Sequence, residues 1–444
     1  METIDLTQGK ALPKMVQFAI PIMLGDLFQQ LYIATDSVIV GQFAGEKALA
    51  AVGSTTFLIR LIIGLFVGIS AGAGVVIAQG VGAGNAKKLE AAVHTMAGLT
   101  LLGGGILTVF GVCAARPLLL AVRTPGDIMS EATVYLRIYF LGALFELIYN
   151  VGSGILRSFG DSKRPFWYLL ASSVTNIALD ILFIAILHMG AAGAGIATTI
   201  AQGVSALLII VAMLKEGAPY QIVVRHIRIE KALVPEILQM GLPSGLQSMI
   251  VALSNVLVQA NINSFGSAAV AGFGVFNKVD GVIMLPLSAI AMSVMTFTGQ
   301  NYGAGKKKRI VQGIRAMLLL EAISWIIGVI ICLLFGEKIF YLFTDNAEIV
   351  YYAKLNMLYS IPLYWAMGTG YALNCVIRGM GRSRIASFLF IFSMCIVRQI
   401  WILIANGLEL GVPGILVSYP ISWVFAVALG VLYVLYLKRI GEFR

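Results

Sequence analysis

The chain is short of charge. Of its 444 residues only 12% are Asp, Glu, Lys or Arg, and 59% are hydrophobic, with a mean hydropathy of +0.92. Soluble domains carry about 25% charged residues, so a water-soluble enzyme is excluded. Cysteine is scarce: Cys113, Cys332, Cys375 and Cys395 lie in apolar runs without C-x-x-C spacing, which predicts packed thiols with no disulfide or metal role. The three histidines, His94, His188 and His226, are scattered, and no H-E-x-x-H occurs. No G-x-x-x-x-G-K-[ST] loop is present, which excludes an ATP-driven pump within this chain. Gly68-Ile-Ser-Ala-Gly72 fits G-x-S-x-G in letters, but that motif needs a strand-to-helix turn. Here it lies inside an apolar helix. Gly64, Gly68 and Gly72 recur every four residues and read as a face for close helix packing. No reaction centre is visible, so the chain is expected to be neither an enzyme nor a cofactor carrier.

What is present is apolar sequence of membrane-crossing length. Twelve spans, each near the ~20 residues a bilayer requires, fall roughly at 13–40, 48–79, 88–113, 128–155, 165–187 and 190–214, then at 233–264, 267–300, 310–335, 345–377, 385–406 and 411–437. The start, METIDLTQGKALPK, is polar and does not resemble a signal peptide. With the N-terminus inside, 21 loop Lys and Arg residues fall on the inner side and 4 (Lys47, Arg116, Arg123, Lys338) on the outer. That asymmetry predicts cytoplasmic termini and a multi-pass protein of the cell membrane. The net charge of +10 is then a topology signal, and nucleic acid is not an expected partner.

The sequence repeats itself. Gln79–Lys88 matches Gln300–Arg309, Leu156–Ser162 matches Ile377–Ser383, and Gly190–Gly193 matches Gly411–Gly414, all at an offset of 221; Pro21 and Pro243 differ by 222. Six spans per repeat is an even number, so the halves insert the same way up, as in transporters built from parallel repeats. The expected domains are an N-terminal six-helix lobe (1–214), a cytoplasmic linker (215–231) and a C-terminal six-helix lobe (232–444). The fold class is an all-α polytopic membrane protein.

Carboxylates inside apolar spans are costly, at least ~2.5–3.5 kcal/mol each, and mark functional or paired groups. Among the charges within spans are Asp26, Asp36, Arg60, Glu146, Asp180, Asp280, Glu321 and Arg398. Interior salt bridges or snorkelling account most simply for Arg60, Glu146, Glu321 and Arg398. Asp36 and Asp180 differ. Counting 1.5 Å per residue from the outer ends of the first and fifth spans puts them about 10 and 12 Å down, with Thr198 of the sixth span at about 12 Å. Asn176 is one turn from Asp180 on the same face. Two carboxylates, an amide and a hydroxyl at one depth are hard oxygen donors suited to Na+ or a shared proton, so H+ and Na+ should compete there. In the second half Asn176 becomes Val397 and Asp180 becomes Trp401 at the same offset, so this polar set is not duplicated. Asn255, Gln259, Met284, Met292, Tyr364 and Tyr371 are the candidates for an adaptable cavity that takes apolar or cationic ligands. Pro21, which removes a helix hydrogen bond about four turns below Asp36, is a candidate hinge.

Ala34–Gly41, Ile155–Pro165 and Thr298–Gly305, with the twelve-span repeat, resemble the multidrug and toxic compound extrusion (MATE) family along the whole chain. The resemblance implies two six-helix lobes and cation-coupled antiport of amphipathic, often cationic compounds by alternating access. Asp36, Asn176, Asp180 and Thr198 look like the first-lobe cation site of the family's DNA-damage-inducible branch, and Pro21 matches the position of a bend in the first helix. The other branch places acids in helices 7 and 10. The acids of this chain's seventh and tenth spans, Glu236, Asp345 and Glu348, stand only at the span starts, which puts a second-lobe acidic site in doubt. The small-molecule substrate and the bilayer are the expected partners of a chain acting as a monomer. The alternative is a flippase for a lipid-linked headgroup, which would want a basic cavity, whereas the spans hold more acids than bases.

Overall fold

A computed structural model describes residues 3–443; Arg444, one of the residues of the inner charged set, lies outside them. Among the described residues the structure is helical, with no strand. Twelve helices follow the expected spans. The first six are α1 (Ala11–Ile39, continued by a π turn Val40–Ala44), α2 (Gly45–Ala83), α3 (Ala86–Ala121), α4 (Met129–Leu141 and Ala143–Ser158), α5 (Lys163–Asp180, continued by a π turn Ile181–Ile186) and α6 (Gly190–Leu214). The second six are α7 (Val234–Asn263), α8 (Ser267–Gly303), α9 (Lys307–Tyr341), α10 (Ala347–Ser360 and Tyr364–Gly379, joined by the 3-10 turn Ile361–Leu363), α11 (Ser383–Ile391, a π turn Phe392–Val397, and Arg398–Gly407) and α12 (Gly411–Leu416 and Ser418–Arg439). No loop separates α1 from α2; Gly45, at φ 84°, ends one helix and starts the next. α4 bends by 45° at Gly142.

The repeat is written into the backbone. Left-handed residues recur at the offset of 221: Gly45 and Gly266, Gly84 and Gly305, Gly160 and Gly381, His188 and Glu409, Gly190 and Gly411. A positive φ is a steric requirement that glycine meets without penalty, so the repeated glycines fix repeated turns.

The chain divides into two compact units. One takes Leu24–Gly245 together with the chain start up to Asp5; the other takes Leu6–Met23 and Leu246–Arg444. The expected boundaries at 214 and 232 follow chain order, whereas these units exchange a segment: the start of α1 groups with the second half and the start of α7 with the first. Pro21 and Pro243 each stand two residues before the change.

The first unit buries apolar clusters around Leu136, Phe140, Ile184 and Ile77, Leu156, Ile209. In it α2 and the start of α7 meet through glycines. A Cβ on Gly68 would strike the backbone of Gly245, and one on Gly72 the backbone of Gly241, so these glycines permit a backbone approach that no other residue would. Lys88 pairs with Glu236 at 2.8 Å, and the amide of Ile4 donates to Gly160 O at 3.0 Å. In the second unit the matching motif grips the segment before α1. Arg309 donates to the carbonyls of Gly9 (2.6 Å), Gln8 (2.9 Å) and Leu6 (3.1 Å) and to Asn301 Oδ1 (3.0 Å). Asn301 Nδ2 donates to Leu6 O at 3.1 Å, and the Leu6 amide donates to Gln300 Oε1 at 3.2 Å. The core of this unit is built around Phe340, Tyr364 and Trp423.

Candidate functional site

The first unit brings Asp36, Asn176 and Asp180 together. Asp36 stands four residues before the π turn that closes α1, and Asp180 immediately precedes the π turn that closes α5. The two π turns pack on each other and on α6, which carries half-buried Thr198. A π turn widens the helix and commonly marks a functional site; here the pair closes α1 onto α5. The carboxyls of Asp36 and Asp180 lie within hydrogen-bonding reach of each other. Asp180 is fully buried and Asn176 is 1% exposed. Apart from the contact between the two acids, Asp36 Oδ1, both oxygens of Asp180 and both polar atoms of the Asn176 amide have no protein partner. Buried polar atoms are normally satisfied; here four oxygens and one amide NH2 are left without partners in one place, and oxygens are the ligands that small hard cations take. No three His, Cys, Asp or Glu side chains converge among the described residues.

Tyr135 adjoins the pair, near enough to Asp36, Asp180 and Glu146 to feel their charges. Glu146, one turn past the bend of α4, accepts from the Tyr139 hydroxyl at 2.9 Å. A ladder of Tyr135, Tyr139 and Glu146 thus leads away from the acids along α4.

The four charged residues assigned to salt bridges or snorkelling divide differently. Arg60 is exposed on α2. Glu146, Glu321 and Arg398 form no ion pair among the described residues. Glu321 is 1% exposed with both carboxyl oxygens unpartnered, beside Gly368. Arg398 is 3% exposed and is held by neutral groups: Asn255 Oδ1 at 3.0 Å, Ser422 Oγ at 3.0 Å, and the ring of Tyr419 4.4 Å below the guanidinium.

Arg398 lines a cavity of the second unit with about 660 Å³ of empty volume, whose wall also includes Asp280, Asn255, Met284, Tyr364 and Trp423. The Tyr364 hydroxyl donates to Asp280. Of the six cavity candidates, Asn255, Met284 and Tyr364 are on this wall. Gln259 instead donates to Asn263 at 2.9 Å. Tyr371 packs on Phe390 with ring centroids 5.8 Å apart, and Met292 is half-buried on α8. The second half does not repeat the first half's polar set; it places Asp280 and Arg398 on one cavity wall, at positions unrelated to Asp36 and Asp180 by the repeat. Both were visible as charges within spans, but nothing in their spacing joined residues 118 positions apart.

The MatE family profile matches residues 21–182 and 243–404, one copy in each half. The chain is 30% identical over 440 residues to the probable multidrug resistance protein YoeA of Bacillus subtilis, covering 96% of this chain and 95% of that one. It is 26% identical to the probable multidrug resistance protein NorM of Thermotoga maritima over 83% of this chain and 80% of that one. Among solved structures, an outward-facing multidrug resistance MATE family transporter of the MOP superfamily superposes with a TM-score of 0.92 at 25% identity, covering 99% of both chains. The chain belongs to the MatE family of multi-pass membrane transporters.

Proposed function

We propose that this chain is a secondary active multidrug exporter of the cell membrane, with both termini cytoplasmic. It exchanges amphipathic or cationic compounds for H+ and/or Na+ by alternating access. The observation that carries the reading is the Asp36–Asp180 pair with Asn176: four buried oxygens without a protein donor, of the kind a proton or a sodium ion takes. Asp36, Asn176, Asp180 and Thr198 are the coupling residues, and the two cations compete because they use the same oxygens. The relatives, named as probable multidrug resistance proteins, support the cargo assignment. The second-unit cavity supports it too, with methionine and aromatic walls that adapt to apolar bodies and the Asp280 carboxylate for a cationic group.

Binding drives a conformational change only when the cation prefers one conformation; a tenfold preference corresponds to about 1.4 kcal/mol. Pro21 is the hinge in this reading. It lacks the N–H that would continue the helix ladder and stands two residues before the chain changes unit. A flippase would use Arg398 for a phosphate, but Asp280 on the same cavity wall disfavours an anion.

The test is dye efflux from loaded vesicles under imposed Na+ or pH gradients. Either gradient should drive export, and adding Na+ should shift the pH dependence. Export indifferent to both gradients, or a pH profile unmoved by Na+, overturns the shared-site reading.

A further inference from the structure

The segment joining the halves is pinned down. The Ile222 amide donates to Met213 O at 2.7 Å, the Val223 amide to His94 Nε2 at 3.0 Å, and the Glu230 amide to Thr95 Oγ1 at 3.2 Å. His94 is 3% exposed and its Nδ1 lies 2.8 Å from Glu90 O. These bonds assign the ring as the tautomer that donates from Nδ1 and accepts at Nε2. The segment's side chains then face two ways. Val224 and Ile227 join an apolar cavity of about 700 Å³, and Arg225, His226, Arg228 and Glu230 join a polar one of about 980 Å³.

The two cavities are neighbours. Lys87, Glu90, Ala91 and His94 of α3 line the polar one, and Ala97, Thr100 and Leu101, the next turns of the same helix, line the apolar one. At 1.5 Å per residue these two sets of α3 residues are centred about 13 Å apart along the helix. The apolar cavity has a buried floor (Ile155 2% exposed, Ile209 1%, Met213 4%) and an open rim (Leu101 47%, Val224 65%). In the polar cavity Glu90 is turned to His226 at 3.5 Å. Lys87, Arg225 and Arg228 enter no ion pair among the described residues, and Glu230 is the one acid left beside them.

We propose that these neighbouring cavities bind an anionic phospholipid, with one acyl chain in the apolar cavity and the phosphate diester held by Lys87, Arg225 and Arg228. The apolar cavity is walled by aliphatic side chains that suit an acyl chain, and the basic residues sit where a headgroup would, as in clusters that recognise anionic lipids. An amphipathic cation would meet three like charges. A soluble anion would leave the apolar cavity unfilled, and a neutral lipid would leave the bases unpaired. The site does not need the export activity, so its test measures binding alone.

The probes are phosphatidylglycerol, phosphatidylcholine and inorganic phosphate, each added to the full chain in detergent, read by thermal unfolding and by native mass spectrometry. Ligand that binds only the folded state raises the melting temperature. Phosphatidylglycerol should bind at a concentration at least tenfold lower than phosphatidylcholine, and phosphate should give no shift. The double variant Arg225→Gln/Arg228→Gln, two exposed changes that leave the fold alone, should abolish the preference. Val151→Trp, which fills the apolar cavity, should weaken both lipids. Equal binding of the two lipids, stabilisation by phosphate alone, or a preference that survives in the double arginine variant overturns the proposal.

Discussion

The two halves share their turns and differ in what they bury. Left-handed backbone recurs at five positions 221 residues apart, yet the first unit gathers two carboxyls and an amide with no base among them, while the second places an acid and a base in one cavity. Where α5 carries Asn176 and Asp180, α11 carries Val397 and Trp401. A duplicated scaffold has therefore kept its backbone geometry, which any change of turn would break, and let its buried polar chemistry diverge. Ion coupling in one half and cargo recognition in the other is the division of labour this asymmetry supports.

The largest expected effect breaks that division if it is wrong. Asp36→Asn should reduce gradient-driven efflux at least tenfold while the protein still folds, because losing a buried charge relieves its desolvation. Asp280→Asn should change which dyes are exported, by a few-fold each, and leave the Na+ and pH dependence intact. Efflux and melting temperature of both variants, measured side by side, decide it. If Asp280→Asn abolishes cation dependence, or Asp36→Asn alters only the choice of dye, the roles are reversed.

Much of the fold was legible in the sequence. The repeat could be read because the residues that fix turns are sequence-specific: Gly84, Gly160 and Gly190 and their partners are glycines for steric reasons. The depth of Asp36 and Asp180 could be read because helical rise is constant. Their facing was not legible. Helical rise fixes how deep each acid lies but not which side of α1 turns to which side of α5, and that is set by how the two helices pack. Nor was the exchange of segments legible, since it depends on which unit Leu6–Met23 packs in, and that is decided by Arg309, Asn301 and Gln300, some 290 residues further on.

The repeat also offers a paired stability test. Arg309 and Lys88 occupy equivalent positions. Arg309 is half-buried and reaches three carbonyls and Asn301 Oδ1. Lys88 makes one ion pair with Glu236, both side chains about two-fifths exposed (41% and 37%). Hydrogen bonds to charged groups contribute about 1.5–3 kcal/mol, whereas exposed ion pairs contribute about 0–1 kcal/mol. Arg309→Ala should therefore lower stability in detergent by about 1.5–3 kcal/mol and Lys88→Ala by less than about 1 kcal/mol. Equal losses would mean that the two motifs grip their segments alike.

The smallest expected change in stability is at Arg398, and it sharpens the comparison most. A buried charge held by neutral partners contributes little net stability, since its desolvation offsets the hydrogen bonds it makes; replacing buried ionic groups by apolar ones of similar volume is commonly neutral or stabilising. In Arg398→Met the Ser422 hydroxyl keeps its bond to Tyr419 O at 2.7 Å. Asn255 loses a donor but lines the cavity, where water can replace it. The melting temperature should stay the same or rise slightly. The cavity, however, keeps Asp280 and loses its only base, so affinity for monocationic dyes should rise about three- to tenfold, a change of roughly 0.7–1.4 kcal/mol, while zwitterionic ones lose a partner for their anionic group. A retained preference for zwitterions, or a fall in stability of more than about 3 kcal/mol, would make Arg398 a structural strut of α11 and leave the second unit without a demonstrated cargo site.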